Sequence, residues 1–328
     1  MPFIFQKIQK IFQNQFMHNQ VTLENIKAIH QLLEQQPTPD MLIHRLNHWQ
    51  GEQNLYIKNY LYWALTTLSL IFLLAGLLFS GYYLIVCVAL FALGLRYRIP
   101  TIELENLKQE LRLYLLEQTY QVRFDHENTP LTHVLQEHPL FQLGDKDNTV
   151  TTLLTGQMLI KQKNYDYSVI KYHYTYLTKT TDDQGREVWE TTHCDLWGVL
   201  MENFPYKGVS ISAAHKSRCH LGIEWQSSDI RFNQKYQQSG VSEFEFVKFL
   251  TPERLLALEQ MMQAFHGDFY VDPHTGLMCW LFNESPLAEN NYLFQAMSIN
   301  ELAEKLEQLQ MPKLQRLQDA FSSLLKTL

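Results

Sequence analysis

The longest apolar stretch of the chain covers residues 59–95, where no charged side chain occurs. One bilayer crossing takes about 20 residues as helix, and at about 1.5 Å per residue this stretch is roughly 55 Å long. Ser80 and Gly81 lie past its middle and favour a turn, followed by two tyrosines suited to a membrane interface. The pattern predicts a transmembrane helical hairpin. One long tilted helix and a buried hairpin of a soluble protein are the alternatives.

Charges beside this stretch predict its orientation. Lys58 precedes it, Arg96 and Arg98 follow it, and the predicted turn has no charge. The positive-inside rule then places both termini in the cytoplasm, as a multi-pass protein. Residues 1–98 hold seven Lys or Arg and four Asp or Glu, whereas the rest of the chain holds 20 and 30. The basic end suits an anionic leaflet, and the acidic end argues against nucleic-acid binding.

The first 20 residues contain no acid and have the pattern of an amphipathic helix. Its apolar positions recur at steps of three and four: Phe5, Ile8, Phe12 and Phe16. Two interpretations stay open, a helix lying on the membrane and a helix packed on the next one. We expect that next helix to begin at Thr22 and end near Gln36. A third begins with Thr38 as N-cap and Pro39 in its first turn.

After the apolar stretch, Thr101 is placed to cap a helix that ends near Gln118. Its apolar stripe consists of Leu104, Leu107, Leu111 and Leu115. We expect a rigid stalk that continues from the second crossing. Residues 128–148 contain two prolines and a glycine and predict an irregular connection with one short helix.

From about Thr149 the hydrophobic period changes to two, which is typical of strands. One predicted strand carries Ile170, Tyr172, Tyr174 and Tyr176 on one face. Residues 182–185 favour a turn, and residues 187–200 form the returning strand. This hairpin is the centre of a predicted antiparallel sheet, its tyrosine face serving packing rather than ligand binding. Further strands are expected at residues 208–213, 229–237 and 243–249.

The C-terminal part predicts helices again, after a hairpin that turns at residues 272–276. Thr251 and Pro252 begin one helix, and Ser298 with Glu301 forms a capping box for the last helical region, which Pro312 divides. The predicted fold class is α+β: N-terminal helices, a transmembrane hairpin, a stalk helix, and an antiparallel sheet domain with C-terminal helices. The predicted boundaries are 1–57 (N-terminal helical region), 58–98 (hairpin), 99–148 (stalk and connection) and 149–328 (cytoplasmic α+β domain).

Several segments together resemble a bacterial family of two-helix-anchored inner-membrane proteins known as domain of unknown function 3137. They are the apolar hairpin with its stalk, Asp195-Leu-Trp-Gly, Phe204-Pro-Tyr-Lys-Gly208-Val, Arg231-Phe-Asn-Gln-Lys-Tyr236, Phe249-Leu-Thr-Pro-Glu-Arg254-Leu and Gly276-Leu-Met-Cys. The resemblance spans about residues 55–310 and excludes the Gln-rich residues 1–50. It implies residence in the bacterial inner membrane and LemA-type membrane proteins as partners. It carries no reaction and no catalytic residues.

Candidate chemistry is confined to one group of thiols and imidazoles. Its members are His193, Cys194, Asp195, His215, Cys219 and His220. Of these, His193, Cys194, His215 and Cys219 have the side chains of a zinc site. Within this group no Cys-x-x-Cys or His-x-x-x-His spacing occurs, so buried thiols and surface histidines are the competing interpretation. A nucleophile pair of Cys219 with His193 or His215 is the catalytic alternative. No disulfide framework or cofactor is predicted.

The leading functional hypothesis is a membrane-anchored cytoplasmic binding or scaffold protein whose partners are the bilayer and other membrane proteins. Nucleotide, phosphate and nucleophile-elbow motifs are absent from the sequence, which argues against an enzyme. The alternative is a membrane-associated hydrolase that uses Cys219 with His193 or His215. A pore built from many hairpins is a third hypothesis, although the apolar stretch offers no ionisable lining apart from Cys87 and tyrosines.

Overall fold

The computed structural model describes residues 2–127, 129–132, 134, 138–181, 185–213, 221–287 and 295–328, the side chains of residues 2–5 and 8 excepted. Its helices are α1 Pro2–Glu34, α2 Pro39–Asn47, α3 Tyr60–Leu78, α4 Tyr82–Tyr97, α5 Ile102–Tyr120, α6 Ile230–Lys235, α7 Glu243–Phe249, α8 Pro252–Ala264, α9 Ile299–Glu307 and α10 Pro312–Leu325. Its strands are β1 Val122–Phe124, β2 Lys146–Ile160, β3 Lys163–Thr181, β4 Glu187–Met201, β5 Val209–Ala213, β6 Ile223–Trp225, β7 Tyr236–Gly240, β8 Gly267–Val271 and β9 Met278–Phe282. The predicted α+β class is confirmed.

The chain forms two compact units that do not follow its linear order. The first contains residues 1–119 and 290–309, which carry α1 to α5 and α9. The second contains residues 120–289 and 310–328, which carry the sheet with α6, α7, α8 and α10.

In the first unit, α1 is a single helix of 33 residues, so the predicted boundary at Thr22 is wrong. Thr22 is fully buried, and its hydroxyl donates to the carbonyl oxygens of His18 and Tyr56. A polar residue at this point resembles a helix start in sequence, yet its hydroxyl is used for a tertiary contact. Residues 1–20 and the helix predicted to follow them are therefore parts of one continuous helix.

A buried polar stripe on α1 holds the segment that leads into α3. The stripe consists of Gln15, Asn19, Thr22 and Asn25. Asn19 pairs with Lys58 twice, donating to its carbonyl at 2.7 Å and accepting from its N–H at 2.8 Å. The Asn25 amide donates to the carbonyls of Glu52 and Asn54. These bonds give residues 52–58, which are not helical, partners for their backbone groups.

The two apolar helices form the predicted hairpin, with its turn where Ser80 and Gly81 predicted it. At the open end, the Asn59 amide donates to the Ile99 carbonyl at 3.0 Å and accepts from the Ile99 N–H at 3.1 Å. Midway, the Ser69 hydroxyl donates to the Cys87 carbonyl at 3.0 Å. α3 and α4 are therefore joined at the base and near the middle.

Helix α5 begins after Thr101, as predicted, and its leucine stripe is buried. The stripe consists of Leu104, Leu107, Leu111 and Leu115. The Lys108 ammonium donates to the Ala296 carbonyl at 2.6 Å, and the Tyr114 hydroxyl donates to the Pro37 carbonyl at 2.7 Å. The predicted stalk is thus packed into the first unit along its length.

The described part of the second unit forms a nine-stranded antiparallel sheet in the order β1-β2-β3-β4-β9-β8-β5-β7-β6. One face packs on the 3₁₀ turn Pro139–Phe141, and the shared core includes Phe141, Tyr172 and Leu281. Helices α8 and α10 pack against the sheet. Phe265 contacts the ring of Phe282 at 4.8 Å between centroids.

Two segments predicted as strands are largely helices. Residues 230–235 form α6, because the Asp229 carboxylate accepts from the N–H groups of Arg231 and Phe232 as an N-cap. Residues 243–249 form α7, which Ser242 caps in the same way. Only residues 236–240 of the first segment pair as a strand, β7. Short helices of six and seven residues have too few turns to show a helical period in sequence.

Candidate functional site

The predicted site residues are only partly within the described structure. His215, Cys219 and His220 lie outside the described residues, so the zinc set and the nucleophile pair stay predictions. His193 and Cys194 are neighbours on β4, in register with Thr175 and Tyr174 of β3. Successive strand residues point to opposite faces, and their side chains therefore do not converge.

The face that carries His193 gathers other polar side chains from both strands of the hairpin. His173 Nδ1 lies 2.7 Å from Asp195 Oδ1, and Lys171 Nζ lies 2.8 Å from Asp195 Oδ2. The rings of His173 and His193 stack with centroids 5.6 Å apart. We call Lys171, His173, His193 and Asp195 the ribbon cluster.

Hydrogen bonding keeps the Asp195 carboxyl group in its charged form. Partial burial favours the neutral form of Asp195, but hydrogen bonds from Lys171 and His173 outweigh it and lower the pKa of the carboxyl group. The carboxylate is therefore ionised at neutral pH and holds the His173 ring by its Nδ1 atom. About a third of each of these three side chains is exposed, so the cluster can form hydrogen bonds to a bound molecule.

The cluster is not a metal centre by the geometry of its described members. No group of three or more His, Cys, Asp or Glu side chains able to hold a metal occurs among the described residues. The described cysteines Cys87, Cys194 and Cys279 form no disulfide with one another. Within this part of the chain, the arrangement favours recognition of polar groups over metal chemistry.

Towards the residues that join them, β3 from Tyr176 and β4 up to Thr192 continue as a two-stranded ribbon, which we call the ribbon. β2 pairs with β3 only as far as Thr175, and β9 pairs with β4 only from Trp197 onwards. The outer edge of residues 187–196 thus has no strand partner within the described parts of the chain. Trp189 is 63% exposed and Val188 44% exposed near the tip. Unpaired backbone groups beside exposed apolar side chains are typical of surfaces that bind another chain.

The tyrosine face of the ribbon changes from core to surface along its length. Tyr172 is fully buried, Tyr174 stacks on it at 5.1 Å between centroids, and Tyr176 is 38% exposed. The Tyr172 hydroxyl donates to Asn148 Oδ1 at 2.6 Å. The predicted packing role is confirmed for Tyr172, whereas Tyr176 belongs to the exposed ribbon.

A buried histidine lies below this face. His138 is 1% exposed, its ring nitrogens have no hydrogen-bond partner among the described residues, and its ring contacts Phe141 and Tyr270. Burial lowers the pKa of His138 to about 4, against a small opposing effect of the Asp272 carboxylate. The ring is neutral at pH 7 and acts as a core side chain.

A cavity of about 830 Å³ lies near β1, β2 and the end of β4. Its wall contains Arg123, Lys163, Asp166 and Glu202. Because both signs of charge are mixed around an open space, the cavity does not define one class of ligand.

The first unit presents a different candidate surface, the apolar side chains of α3 and α4. Leu70, Ile71, Leu77 and Ile85 are each more than half exposed. Both helices meet the length and composition expected of membrane spans, the second as a segment that extends through α5, and only 6% of the apolar 18-residue stretch of each segment is buried. A core helix of a soluble protein would be mostly buried, so the exposed surface favours membrane association.

The sequence contained a signal for the residues that we missed. Lys171 and His173 lie on a strand that the pattern predicted, opposite residues of the returning strand. Symmetric pairing across the predicted turn at residues 182–185 would place His173 opposite Cys194, whereas the observed register places it opposite Asp195, so the strands were predictable but their register was not. The comparisons with known proteins add nothing to this site: no family model, no curated protein and no solved structure matches the chain.

Proposed function

We propose that this chain is a membrane-anchored binding protein of the bacterial inner membrane. The hairpin α3–α4 crosses the bilayer twice, both termini of the chain lie on the cytoplasmic side, and the α+β unit acts by binding other membrane-bound proteins. The observation that carries the proposal is the apolar surface of the hairpin, which no described residue of the chain covers.

The backbone pairing and the exposed side chains of the hairpin are those expected of a segment surrounded by lipid. A bilayer tolerates a chain segment only if its backbone groups are paired internally, as they are in a helix. The polar side chain of Ser69 is buried and donates to the Cys87 carbonyl, so it does not face outward. Leu70 and Ile71 do face outward, each 57% exposed. Burying such side chains in hydrocarbon stabilises each by roughly 1.5–3 kcal/mol relative to water.

The orientation rests on charges at the open end of the hairpin. Lys58, Arg96 and Arg98 flank this end, while residues 79–81 of the turn are uncharged. The Arg98 guanidinium lies over the Tyr62 ring at 5.6 Å, a pairing suited to the interfacial region. Cations of this kind are retained on the cytoplasmic side.

A topology experiment tests the membrane part of the proposal. Alkaline phosphatase inserted between Ser80 and Gly81 should be active, because it acquires its disulfides only outside the cytoplasm. The same enzyme fused to the C-terminus should be inactive, and a fluorescent protein there should fluoresce. An active C-terminal phosphatase fusion would contradict the proposed orientation.

The binding role is supported by the ribbon and by confinement to a membrane layer. Anchoring raises the effective concentration of the α+β unit for partners that share its membrane. The resemblance to the two-helix-anchored family makes LemA-type membrane proteins the first candidates. The ribbon offers Trp189 and Val188 beside the unpaired edge of β4, which is the kind of edge that takes an added strand.

Photo-crosslinking in native membranes tests this role. A photoreactive amino acid in place of Trp189 should give a discrete protein adduct. The control position is Leu256 on α8, which is 61% exposed but lies on a helix. The same adduct pattern at both positions, or no protein adduct at Trp189, would contradict binding through the ribbon.

A further inference from the structure

The side of α1 that carries the buried polar stripe changes chemistry at the point where α3 begins. Gln15 Oε1 accepts from the N–H of Leu61, the second residue of α3. On the C-terminal side, the stripe continues with polar residues that hold the preceding segment. On the N-terminal side, helical spacing places Ile11 and Phe12 on the same side of the helix as Gln15. The stripe is therefore polar before the membrane entry and apolar beyond it.

The direction of α1 places this apolar part beside the membrane entry. Asn25 contacts Glu52 and Asn54, Asn19 contacts Lys58, and Gln15 contacts Leu61. The helix and the segment thus run antiparallel, and residues 2–14 continue past the start of α3. This part of α1 is about 20 Å long at 1.5 Å per residue.

The described side chains of this part suit a lipid interface. Ile11 is 48% exposed and Phe16 68% exposed, although both are large and apolar. Lys7 and Lys10 are also exposed. The sequence has no acidic residue before Glu24. A helix with exposed apolar side chains, two lysines and no acid is attracted to an anionic membrane surface.

We infer that residues 6–17 of α1 bind an anionic lipid leaflet, with Ile11, Phe12 and Phe16 entering the acyl boundary and Lys7 and Lys10 contacting phosphate groups. This inference rests on the proposed membrane insertion of α3–α4. It adds a second membrane contact, continuous with the hairpin through Gln15 and Leu61. The Asn19 and Asn25 bonds hold this part of α1 in position before lipid is met.

The test uses the full chain in lipid nanodiscs that contain nitroxide-labelled lipid as a quencher. An environment-sensitive fluorescent amino acid replaces one residue at a time: Ile11, Lys27 or Leu74. Lys27 is exposed on the same helix, in the part that lies beside the polar segment. Leu74 is 54% exposed on α3 and reports on the anchor itself.

The expected result is strong quenching at Ile11 and Leu74 and little at Lys27. Quenching at Leu74 without quenching at Ile11 overturns the inference and leaves the anchor intact. No quenching at Leu74 contradicts the anchor as well. A probe at Ile11 that is shielded from water yet unquenched indicates a protein contact, such as a second copy of α1, and also overturns the inference.

A charge variant gives an independent measurement. Lys7→Gln with Lys10→Gln removes two exposed cations and leaves the stripe from Gln15 to Asn25 unchanged. In anionic nanodiscs the ratio of lipid-bound to free helix should fall by roughly fivefold per lysine. In zwitterionic nanodiscs the variant and the parent should give the same signal. Equal signals in anionic nanodiscs would overturn the anionic preference.

Discussion

The chain contains two long hairpins, one of helices and one of strands, and they leave different groups uncovered. In α3–α4 the backbone groups are paired within each helix, and the exposed surface is apolar side chain. In β3–β4 the exposed side chains include ion pairs, such as Lys171 with Asp195. There the uncovered groups are backbone N–H and C=O along the outer edge of β4.

The difference indicates two different partners. Exposed apolar side chains on a fully paired backbone are compatible with hydrocarbon, which offers no hydrogen bonds. An unpaired strand edge is compatible with water or another strand and is excluded from a bilayer. The same chain thus has one hairpin suited to lipid and one suited to protein.

The largest effect is expected from charges on the helical hairpin. Ile71→Arg with Leu74→Arg should cost about 2.5–3.5 kcal/mol per arginine in membrane insertion. After extraction of membranes with alkaline carbonate, the double variant should be released from the membrane fraction or be found as an aggregate. The matched control, Val188→Arg with Trp189→Arg, places two arginines at exposed apolar positions of the ribbon and should stay in the membrane. Equal behaviour of the two variants would remove the distinction between the hairpins.

The next effect concerns the buried core below the strand hairpin. His138 has a pKa of about 4 when folded and an ordinary value of 6.5. The unfolded chain therefore binds a proton first as pH falls, and stability is lost between pH 6.5 and 4. The loss should reach roughly 2 kcal/mol at pH 5. Denaturant unfolding of the parent and of His138→Phe at pH 7 and pH 5 measures it.

The His138→Phe variant retains the aromatic contacts with Phe141 and Tyr270, so it isolates the proton. It should lose about 2 kcal/mol less than the parent between these pH values. An equal loss in both proteins would mean that the ring is not buried in its neutral form. Carboxylates that do not interact with His138 titrate equally in the two proteins and cancel, so Asp272, which does interact with it, is the exception.

A smaller effect is expected at the base of the helical hairpin. Asn59→Ala removes the two hydrogen bonds that join Asn59 to Ile99 and should destabilise the hairpin by about 1–2 kcal/mol. Unfolding by SDS titration from mild detergent measures this loss. Asn54→Ala is the control for side-chain bonds, because the Asn54 amide donates only to the exposed Glu52 carboxylate in the described structure. If Asn59→Ala destabilises the hairpin no more than Asn54→Ala does, the hydrogen bonds between Asn59 and Ile99 do not stabilise the base of the hairpin.

The smallest effect is expected in the ribbon cluster. Asp195→Asn removes the negative charge that pairs with Lys171, and its effect on unfolding should stay below about 1 kcal/mol because both side chains are about a third exposed to solvent. Hydrogen exchange of the β3–β4 amides measures the change. A loss several times larger would show that the cluster supports the fold and is not a surface for recognition.

Features with local causes were predictable from sequence. The turn at Ser80 and Gly81, the N-cap at Thr38 and the N-cap at Thr251 are all observed. Ser298 accepts from the Glu301 N–H as predicted, but the Glu301 carboxylate accepts from Met297 instead of Ser298. Caps and turns depend on a few neighbouring residues, which is why their sequence signals hold.

Features that depend on distant partners were not predictable. The polar stripe of α1 resembles a solvent-facing side until residues 52–61 bind to it, and Thr22 therefore looked like a helix start. The ribbon cluster needs the register of β3 on β4, which brings His173 to Asp195 across 22 positions of sequence. Helix α9 joins the first unit only through contacts made after the chain has returned from the sheet.

The central claim is that lipid surrounds α3, and the most direct test measures which reagents reach its surface. Nitroxide side chains placed at Leu70, Ile71, Leu73 and Leu77 cover several sides of the helix. In reconstituted bilayers, each should be more accessible to dissolved oxygen than to a water-soluble nickel chelate, most strongly near Ile71. Sites that are accessible to the chelate, or shielded from both reagents, would show that water or protein covers the hairpin and would contradict the membrane anchor.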